Sequence, residues 1–262
     1  MEDRKKLEIE HYDELARDWY EKYGKEKDWQ TDIEEYDINL FLSYQYFRKL
    51  VEKNIKPGMK VLDYGCGHGM HAILPAKLGA EVYGIDVSKE SLKIARGRVE
   101  HEGVSNRIKF LEMDGENMTF EDNSFDIIID GGTFSSIDIN KAFPELKRVL
   151  RPSGLLIGIE TFGHNPFANL KRWFNKKSGF RTEWAVSHIF KNKDLKNAKN
   201  YFKIVEAKFF HLFSIFIFPF RKLPGGKQTF KIIDKIDSEI FMKTPLIKKM
   251  AFKIVFVFQK ND

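Results

Sequence analysis

Cysteine is almost missing from this 262-residue chain, and long apolar runs are missing altogether. The single thiol, Cys66, excludes an intramolecular disulfide and fits a reducing compartment. The longest apolar run, residues 209–220, falls well short of the ~20 residues that cross a bilayer. The charged first 24 residues also lack the apolar stretch of a signal peptide. These absences predict a cytoplasmic protein.

Charge is distributed unevenly along the chain, although the formal net charge is only +6. Residues 1–150 sum to −8, whereas residues 151–262 sum to +14. With 42% hydrophobic and 31% charged residues, the composition is that of a globular protein. The asymmetry predicts that the basic second half of the chain faces something anionic.

Short apolar segments alternate with helical stretches from residue 59 onward. Five strands are predicted at "MKVLDYG", "EVYGIDV", "RIKFLEM", "FDIIID" and "GLLIGIET". Alternation of this kind is typical of βαβ units, in which helices cover both faces of a parallel sheet. Two amphipathic helices are predicted before the sheet, at 9–24 and 33–55. Two further strands, "KIVEAKFFH" and "MAFKIVFVFQK", flank a helical stretch over 221–249.

The segment "DYGCGHGMHA", residues 63–72, holds three glycines, two histidines and the only cysteine. A metal site is a poor interpretation, because Cys66, His68 and His71 come from one turn and no second ligand cluster accompanies them. A redox site would need a partner thiol, which the chain lacks. The two histidines are more typical of polar residues at a helix start than of catalysts.

A nucleotide-binding loop explains the glycines better. The segment lies between a predicted strand and a predicted helix, where ligands bind above parallel sheets, and glycine lets the backbone approach a ligand closely. The dinucleotide pattern would place its third glycine at position 70, which is Met70, whereas the glycines here are Gly65, Gly67 and Gly69. Asp63 would repel a pyrophosphate and suits a cationic amino-acid group instead.

Four segments in order resemble the class I S-adenosylmethionine-dependent methyltransferases. "VLDYGCGHG" is similar to their first motif and "VYGIDVS" to their second-strand motif. "FLEMDGENMTFEDNSFDIIID" resembles their third-to-fourth strand segment, and "LKRVLRPSGLLIGIE" the approach to strand five. The resemblance covers residues 59–161, and the final strand "FKIVFVFQK" is consistent with the extra antiparallel strand of that fold.

The resemblance implies a fold and a division of the chain. We expect an α/β, Rossmann-like sheet of seven mainly parallel strands with helices on both faces, in one domain over residues 1–262. Its expected parts are a helical lid (1–55), a cofactor-binding core (56–161), an acceptor-side cap with strand six (162–249) and the final strand (250–260). Tyr12, Trp19 and Tyr20 are candidate lid residues, with core packing as the alternative.

The cofactor that the resemblance implies is S-adenosyl-L-methionine, and no metal is expected. In the family, an acid in the position of Asp86 binds the ribose hydroxyls, and one in the position of Asp114 accepts from the adenine amino group. The expected cofactor-binding residues are Asp63, Gly65, Cys66, Gly67, Gly69, Asp86, Val87, Met113, Asp114, Gly115 and Asp130. The alternative for Asp86 and Asp114 is that they are solvated acids at strand ends.

Catalytic residues are harder to identify, because methyl transfer from a sulfonium needs positioning more than a fixed catalytic signature. "DGGTFSS" stands where nucleic-acid amino-methyltransferases carry an Asn/Asp-Pro-Pro-aromatic motif. The segment after strand five resembles a group of small-molecule methyltransferases, and its "SHIF" turn makes His188 the candidate catalytic residue near the site's mouth. A capping or packing role is the alternative. His164 and Glu160 are weaker candidates.

The expected acceptor is a small, hydrophobic molecule: a lipid, a quinone or an isoprenoid-like compound. Lys and Arg interleave with Phe, Ile and Trp in the second half, which favours peripheral contact with an anionic membrane. One alternative is an RNA methyltransferase that uses the basic half, although the apolar 209–220 run makes nucleic acid the less favoured partner. Another is a cofactor-binding protein without catalysis. The oligomeric state stays open.

Overall fold

Seven strands form one sheet in the computed structural model, which describes residues 2–24, 38–163, 165, 169 and 182–261. The strands are β1 (Lys60–Tyr64), β2 (Glu81–Asp86), β3 (Ile108–Glu112), β4 (Phe125–Asp130), β5 (Leu150–Thr161), β6 (Phe202–Phe210) and β7 (Lys253–Lys260). Their order is β3-β2-β1-β4-β5-β7-β6. The first five are parallel, and β7 runs antiparallel to both β5 and β6. The predicted Rossmann-like fold is confirmed.

Helices cover the sheet and precede it. Those in the described residues are α1 (Glu2–Tyr23), α2 (Leu42–Asn54), α3 (Met70–Lys77), α4 (Lys89–His101), α5 (Ile139–Val149), α6 (Glu183–Ser187), α7 (Asn192–Ala198), α8 (Ser214–Ile217) and α9 (Gly226–Lys243). Short 3₁₀ turns occupy Ile38–Leu40, Ser105–Arg107, Phe218–Phe220 and Pro245–Met250.

Three predicted helix boundaries were wrong. The first helix begins at Glu2, not at residue 9, since the charged segment before it contains strong helix formers and no glycine or proline. The second begins at Leu42, and residues 25–37 lie outside the described part of the chain. The predicted helical stretch 221–249 is α9 followed by a 3₁₀ turn, because Pro245 cannot continue an α-helix.

The residues that cap and end the crossover helices adopt the expected conformations in the structure. Ser88 caps α4, with its hydroxyl oxygen accepting from the backbone N–H of Ser91 at 3.0 Å. Gly79 and Gly103 follow α3 and α4 with φ angles of 90° and 68°, a left-handed conformation that glycine adopts at little cost. These caps end each helix where the next strand must begin, which sets the carboxyl ends of β1 and β2 side by side.

The core lies in two layers, one on each face of the sheet. Along β7, Phe256 and Phe258 enter one layer, while Val255 and Val257 enter the other, as the two-residue period of a strand requires. The first layer is rich in aromatic rings, and Phe134 lies 6.0 Å from Phe256 between ring centres. Burial on both faces explains why the strands read as continuous apolar runs.

The apolar run 209–220 is partly core and partly surface. Phe210 and Leu212 are buried, whereas Phe213, Phe216 and Phe220 are 53%, 40% and 57% exposed. The run leaves β6, forms α8 and ends in a 3₁₀ turn. Within the described residues, every helix is too short or too polar to traverse a lipid bilayer.

A buried polar network fastens this run to α2 and α9. The Nδ1 of His211 lies 2.7 Å from an oxygen of Asp234, and its Nε2 lies 2.7 Å from the hydroxyl of Ser43. Asp237 accepts backbone N–H bonds from residues 212, 213 and 214. All four side chains are fully buried. The network therefore couples three elements that are distant in the sequence, at a place where no water can replace a lost partner.

We expect Asp237→Ala to lower the free energy of unfolding by about 3 kcal/mol, because it leaves buried N–H donors without an acceptor. Urea denaturation followed by circular dichroism measures this. Glu239→Ala, on the exposed side of the same helix, is the matched control and should change little. Equal stabilities for the two variants would contradict the assignment.

Candidate functional site

A cavity of about 220 Å³ opens at the carboxyl ends of β1, β2 and β4. Its wall combines the glycine loop after β1, the ends of β2 and β3, the turn after β4 and the first half of α1. This is the edge of an open parallel sheet where neighbouring crossovers diverge and ligands bind. The sheet order therefore places the predicted loop at a site that can hold a ligand.

The glycine loop needs its glycines for steric reasons. Gly65 and Gly67 have φ angles of 61° and 48°, in the left-handed region. A Cβ on Gly65 would lie 2.3 Å from the hydroxyl oxygen of Thr133, so no other residue fits there without displacement. The N–H of Gly67 donates to a carboxylate oxygen of Asp86 at 2.8 Å. Asp86 thus holds the loop against the end of β2.

Cys66 contributes no reactive thiol. Its side chain is buried, and burial raises the pKa of the thiol well above its usual value, with the charges of Asp63 and Asp86 adding to the rise. Its backbone N–H donates to the carbonyl of Ile85 at 2.8 Å, which pins the loop to β2. No cluster of three metal-binding side chains occurs in the described residues.

Asp63 is an acidic residue with a buried side chain. It is 1% exposed, and neither carboxylate oxygen accepts a hydrogen bond of normal geometry from the part of the chain that the structure describes. Burial raises its pKa to about 8, and the charges of Asp130 and Asp86 add to the rise. The backbone N–H of Ala72 offsets only part of this rise. The carboxyl of Asp63 therefore holds its proton near neutral pH.

Asp86 and Asp114 lie on the cavity wall, at or just after the ends of β2 and β3. Asp86 accepts from the N–H of Ser88 at 2.9 Å as well as from the glycine loop. Burial raises the pKa of Asp86, and these backbone hydrogen bonds oppose the rise. Asp114 accepts from the N–H of Glu116 at 2.9 Å and forms an ion pair with Lys5.

The structure brings most of the predicted cofactor residues to one cavity. Seven of them line it: Gly65, Gly67, Asp86, Val87, Met113, Asp114 and Gly115. Four lie behind this wall: Asp63, Cys66, Gly69 and Asp130. Gly69, with a φ of 75°, begins α3 and turns the chain away from the sheet. The second group shapes the cavity from beneath.

A second buried carboxyl pair supports the turn after β4. Asp130 accepts backbone N–H bonds from Gly132 and Thr133, and Glu160 accepts one from Phe134 at 2.6 Å. Burial raises the pKa of Asp130 to about 6 and that of Glu160 well above its usual value, and the charge of Asp130 adds to the rise at Glu160. Glu160, a weak catalytic candidate from the sequence, therefore lies under the cavity floor.

The N-terminal helix closes one side of the cavity through residues that the sequence did not single out. Arg4 forms an ion pair with Glu116, and Lys5 forms one with Asp114. Glu8 is buried, hydrogen-bonds Thr182 through one oxygen and presents the other without a partner among the described residues. These residues and Tyr12 share one helical face, and this spacing of three to four residues was the signal available in the sequence.

The predicted lid aromatics lie on the same helix. The hydroxyl of Tyr12 hydrogen-bonds that of Ser136 at 2.6 Å, across the cavity. The ring of Trp19 lies 5.1 Å from that of His68 in the glycine loop. Tyr20 is exposed. Two of the three candidates thus contact the loops around the cavity.

His188 does not line this cavity. Its ring stacks on Trp184 at 3.5 Å, and Nδ1 lies 3.0 Å from the carbonyl of the same residue. It borders a separate, smaller cavity beside Asp138 and Asp194. This position matches the packing alternative, and nothing in it supports contact with a methyl acceptor. His164 lies outside the described residues.

Comparison with known proteins follows the same region of the chain. A family model described as a methyltransferase domain matches residues 55–206. A sterol 24-C-methyltransferase from Gibberella zeae is 33% identical over 147 residues, which cover 55% of this chain and 33% of that protein. A demethylmenaquinone methyltransferase from Staphylococcus haemolyticus is 35% identical over 131 residues, covering 48% of this chain and 54% of that protein.

The matched region therefore spans about half or less of these two relatives. Among solved structures, a geranyl diphosphate C-methyltransferase from Streptomyces coelicolor superposes with a TM-score of 0.60 at 12% identity, over 83% of this chain and 79% of that one. At that identity the likeness concerns the fold alone. Because the family model covers more than half of the sequence, the chain belongs to the family of methyltransferase domains.

Proposed function

We propose that the protein transfers a methyl group from S-adenosylmethionine to a small hydrophobic acceptor. The observation that carries this proposal is Asp63, a buried carboxyl beneath a glycine loop that has no side-chain partner among the described residues. A cationic amino-acid moiety fits such a group, whereas a phosphate would be repelled. The residues present therefore fit the cofactor that the family implies.

Other parts of the cavity suit the rest of that cofactor. Asp86 offers a carboxylate for the ribose hydroxyls, and Asp114 offers one for the adenine amino group once Lys5 releases it. Val87 and Met113 add apolar wall to the same cavity. The roles of Asp86 and Asp114 follow the family motif, and their place on one wall supports them.

The cofactor supplies a methyl group already activated by its sulfonium. The chain's own contribution is to position the reactants and to exclude water. Asp86 fixes the glycine loop, and the Asp130–Glu160 pair fixes the turn after β4. We propose that α1 acts as a lid, held closed by its ion pairs to Asp114 and Glu116.

The acceptor class rests on two kinds of support. The named relatives act on a sterol and on demethylmenaquinone, both hydrophobic. The exposed apolar side chains of this protein concentrate in the second half, including Phe213, Phe216 and Phe220. We propose a lipid, quinone or isoprenoid-like acceptor, with part of residues 162–249 forming the cap on its side. A phosphate-tracking RNA surface would not be so apolar.

A peripheral membrane contact is part of the same proposal. On the surface of α8 and the turn after it, exposed phenylalanines lie beside Arg221, Lys222 and Lys227. The guanidinium of Arg221 lies 4.0 Å from the ring centre of Phe218. Apolar side chains flanked by basic ones suit the interface of an anionic bilayer. This surface would hold the protein at the bilayer in which a hydrophobic acceptor is dissolved.

We expect the purified protein to bind S-adenosylmethionine at one site per chain, and to produce S-adenosylhomocysteine when a cell extract supplies acceptors. Calorimetry measures the binding, and mass spectrometry with labelled cofactor identifies the methylated product. Asp86→Ala should weaken binding by about 1–3 kcal/mol, the scale of a lost charge-assisted hydrogen bond. Glu112→Ala, exposed at the end of β3, is the control. Binding without any turnover would favour a non-catalytic protein.

Cofactor affinity should rise with pH below about pH 8. The pKa of Asp63 is raised to about 8, so the free protein holds a proton that a cationic ligand must displace. The association constant should therefore increase by up to about tenfold per pH unit between about pH 6 and about pH 7.5. Calorimetric titrations at several pH values measure the slope. Asp63→Asn should flatten it, and an unchanged slope in that variant would exclude Asp63.

The protein should co-sediment with phosphatidylglycerol vesicles at low salt and much less with phosphatidylcholine vesicles. Each basic residue near an anionic surface contributes about 1 kcal/mol, and salt screens the attraction. Phe216→Asp should release the protein, whereas Leu7→Asp, an exposed apolar residue on α1, should not. Equal binding by both variants would contradict docking through α8.

A further inference from the structure

Glu8 is a buried carboxyl on the face of α1 that closes the cofactor cavity. It is 5% exposed, lines that cavity, and lies outside the segments that carry the methyltransferase motifs. Arg4 and Tyr12 lie one helical turn before and after it. The guanidinium of Arg4 donates to the carbonyl of Ser136 at 3.2 Å, and the hydroxyl of Tyr12 meets the hydroxyl of the same residue at 2.6 Å. Glu8 therefore lies on the helical face that meets the turn after β4.

The hydroxyl of Thr182 determines which oxygen of Glu8 is available. Thr182 is the N-cap residue of α6, and its hydroxyl oxygen accepts from the backbone N–H of Ala185 at 3.1 Å. The same hydroxyl donates its hydrogen to Oε1 of Glu8. The other oxygen, Oε2, is buried and has no hydrogen-bond partner among the described residues. Because Oε1 already accepts a hydrogen bond, Oε2 is the atom that can take up a proton.

The surroundings of Glu8 make it a stronger base than an exposed glutamate. Burial raises the pKa of its carboxyl. The hydroxyl of Thr182 and the positive charges of His11 and Arg4 oppose that rise without cancelling it. Arg4 is itself held by Trp184, whose ring centre lies 4.5 Å from the guanidinium carbon. A carboxylate with a raised pKa takes up protons at a pH closer to neutrality, which suits a general base.

The position of Glu8 matches the place where a methyl acceptor must enter. An in-line transfer requires donor and acceptor to meet in one cavity, within contact of each other. Thr133, Ser136 and Ile137 from the turn after β4 line the cofactor cavity together with Glu8. Thr182, which holds Glu8, belongs to the part of the chain that we propose as the acceptor-side cap. Glu8 therefore lies where that cap meets the cofactor cavity.

The charge of this carboxylate selects the kind of nucleophile that can react beside it. An amine next to a carboxylate is held as an ammonium ion, which has no lone pair to receive a methyl group. A hydroxyl instead donates its hydrogen to the carboxylate, and its oxygen becomes more nucleophilic as the proton leaves. Glu8 thus favours an acceptor that reacts through a hydroxyl oxygen.

We propose that Glu8 is the general base of the methyl transfer and that the acceptor reacts through a hydroxyl oxygen. The inference rests on the proposed function and adds the proton acceptor and the reacting atom. The acceptor's oxygen forms a bond to the methyl carbon, while the carbon–sulfur bond breaks and its electron pair stays on sulfur. The hydroxyl proton moves to Oε2 of Glu8, and Thr182 holds Oε1 during the transfer. Opening of α1 then lets the proton pass to solvent.

Turnover of a total lipid extract with saturating S-adenosylmethionine gives the first test, with S-adenosylhomocysteine measured by mass spectrometry. Glu8→Gln should lower the rate by about 100-fold or more, the scale of a lost general base, and leave S-adenosylhomocysteine binding within about twofold. Added sodium formate should raise the rate of Glu8→Ala, because formate replaces the missing carboxylate. Glu10→Gln, exposed on the same helix, is the control. An unchanged rate in Glu8→Gln, or no response of Glu8→Ala to formate, would overturn the assignment.

Two small probes test the same contact without turnover. Cyclohexanol carries a hydrogen on its oxygen and methoxycyclohexane does not, and saturation-transfer NMR compares their binding to the protein saturated with S-adenosylhomocysteine. The wild type should prefer cyclohexanol, and Glu8→Gln should reduce that preference about fivefold, the difference between a charge-assisted and a neutral hydrogen bond. The same preference in both proteins would exclude contact between Glu8 and the hydroxyl. If S-adenosylhomocysteine does not bind the wild type, the proposed function fails instead, so the two failures are distinguishable.

Discussion

The burial of Asp63 without a cation is the constraint on which the site depends. The carboxyl ends β1, a central strand of the sheet, where parallel neighbours exclude water from both sides. Asp130 and Glu160 place two further buried carboxyls at the ends of β4 and β5. Desolvation makes this cluster costly in the free protein, and a cationic ligand offsets that cost.

Two loops and one helix form the cavity around this cluster of carboxyls. Asp86 holds the glycine loop, the buried carboxyl pair holds the turn after β4, and α1 spans the opening with Arg4 and Lys5. Lys5 occupies Asp114, so a ligand that needs this carboxylate must displace the helix. In the proposed function, this one ion pair would couple cofactor entry to the position of α1.

The fold and most of the cofactor wall could be predicted from the sequence, because they rest on local patterns. Apolar runs identified the strands, and Ser88 with Gly103 marked the ends of α4. The predicted residues Gly65, Asp86 and Asp114 do meet at one cavity, since parallel strands bring their carboxyl ends to one edge. His188 was predicted by analogy, and in the structure it stacks on Trp184 beside a separate cavity, so its catalytic role stays a prediction.

The sequence by itself determined the order of strands and helices, the glycine loop and the acids that follow the strands. Each of these depends on neighbours within a few residues, so a local pattern records them. Only the tertiary structure decided that Arg4 and Lys5 reach the cavity, that His71 meets Gly131, and that residues 209–220 divide between core and surface. Those contacts join residues far apart in the chain, and packing alone selects which of them form.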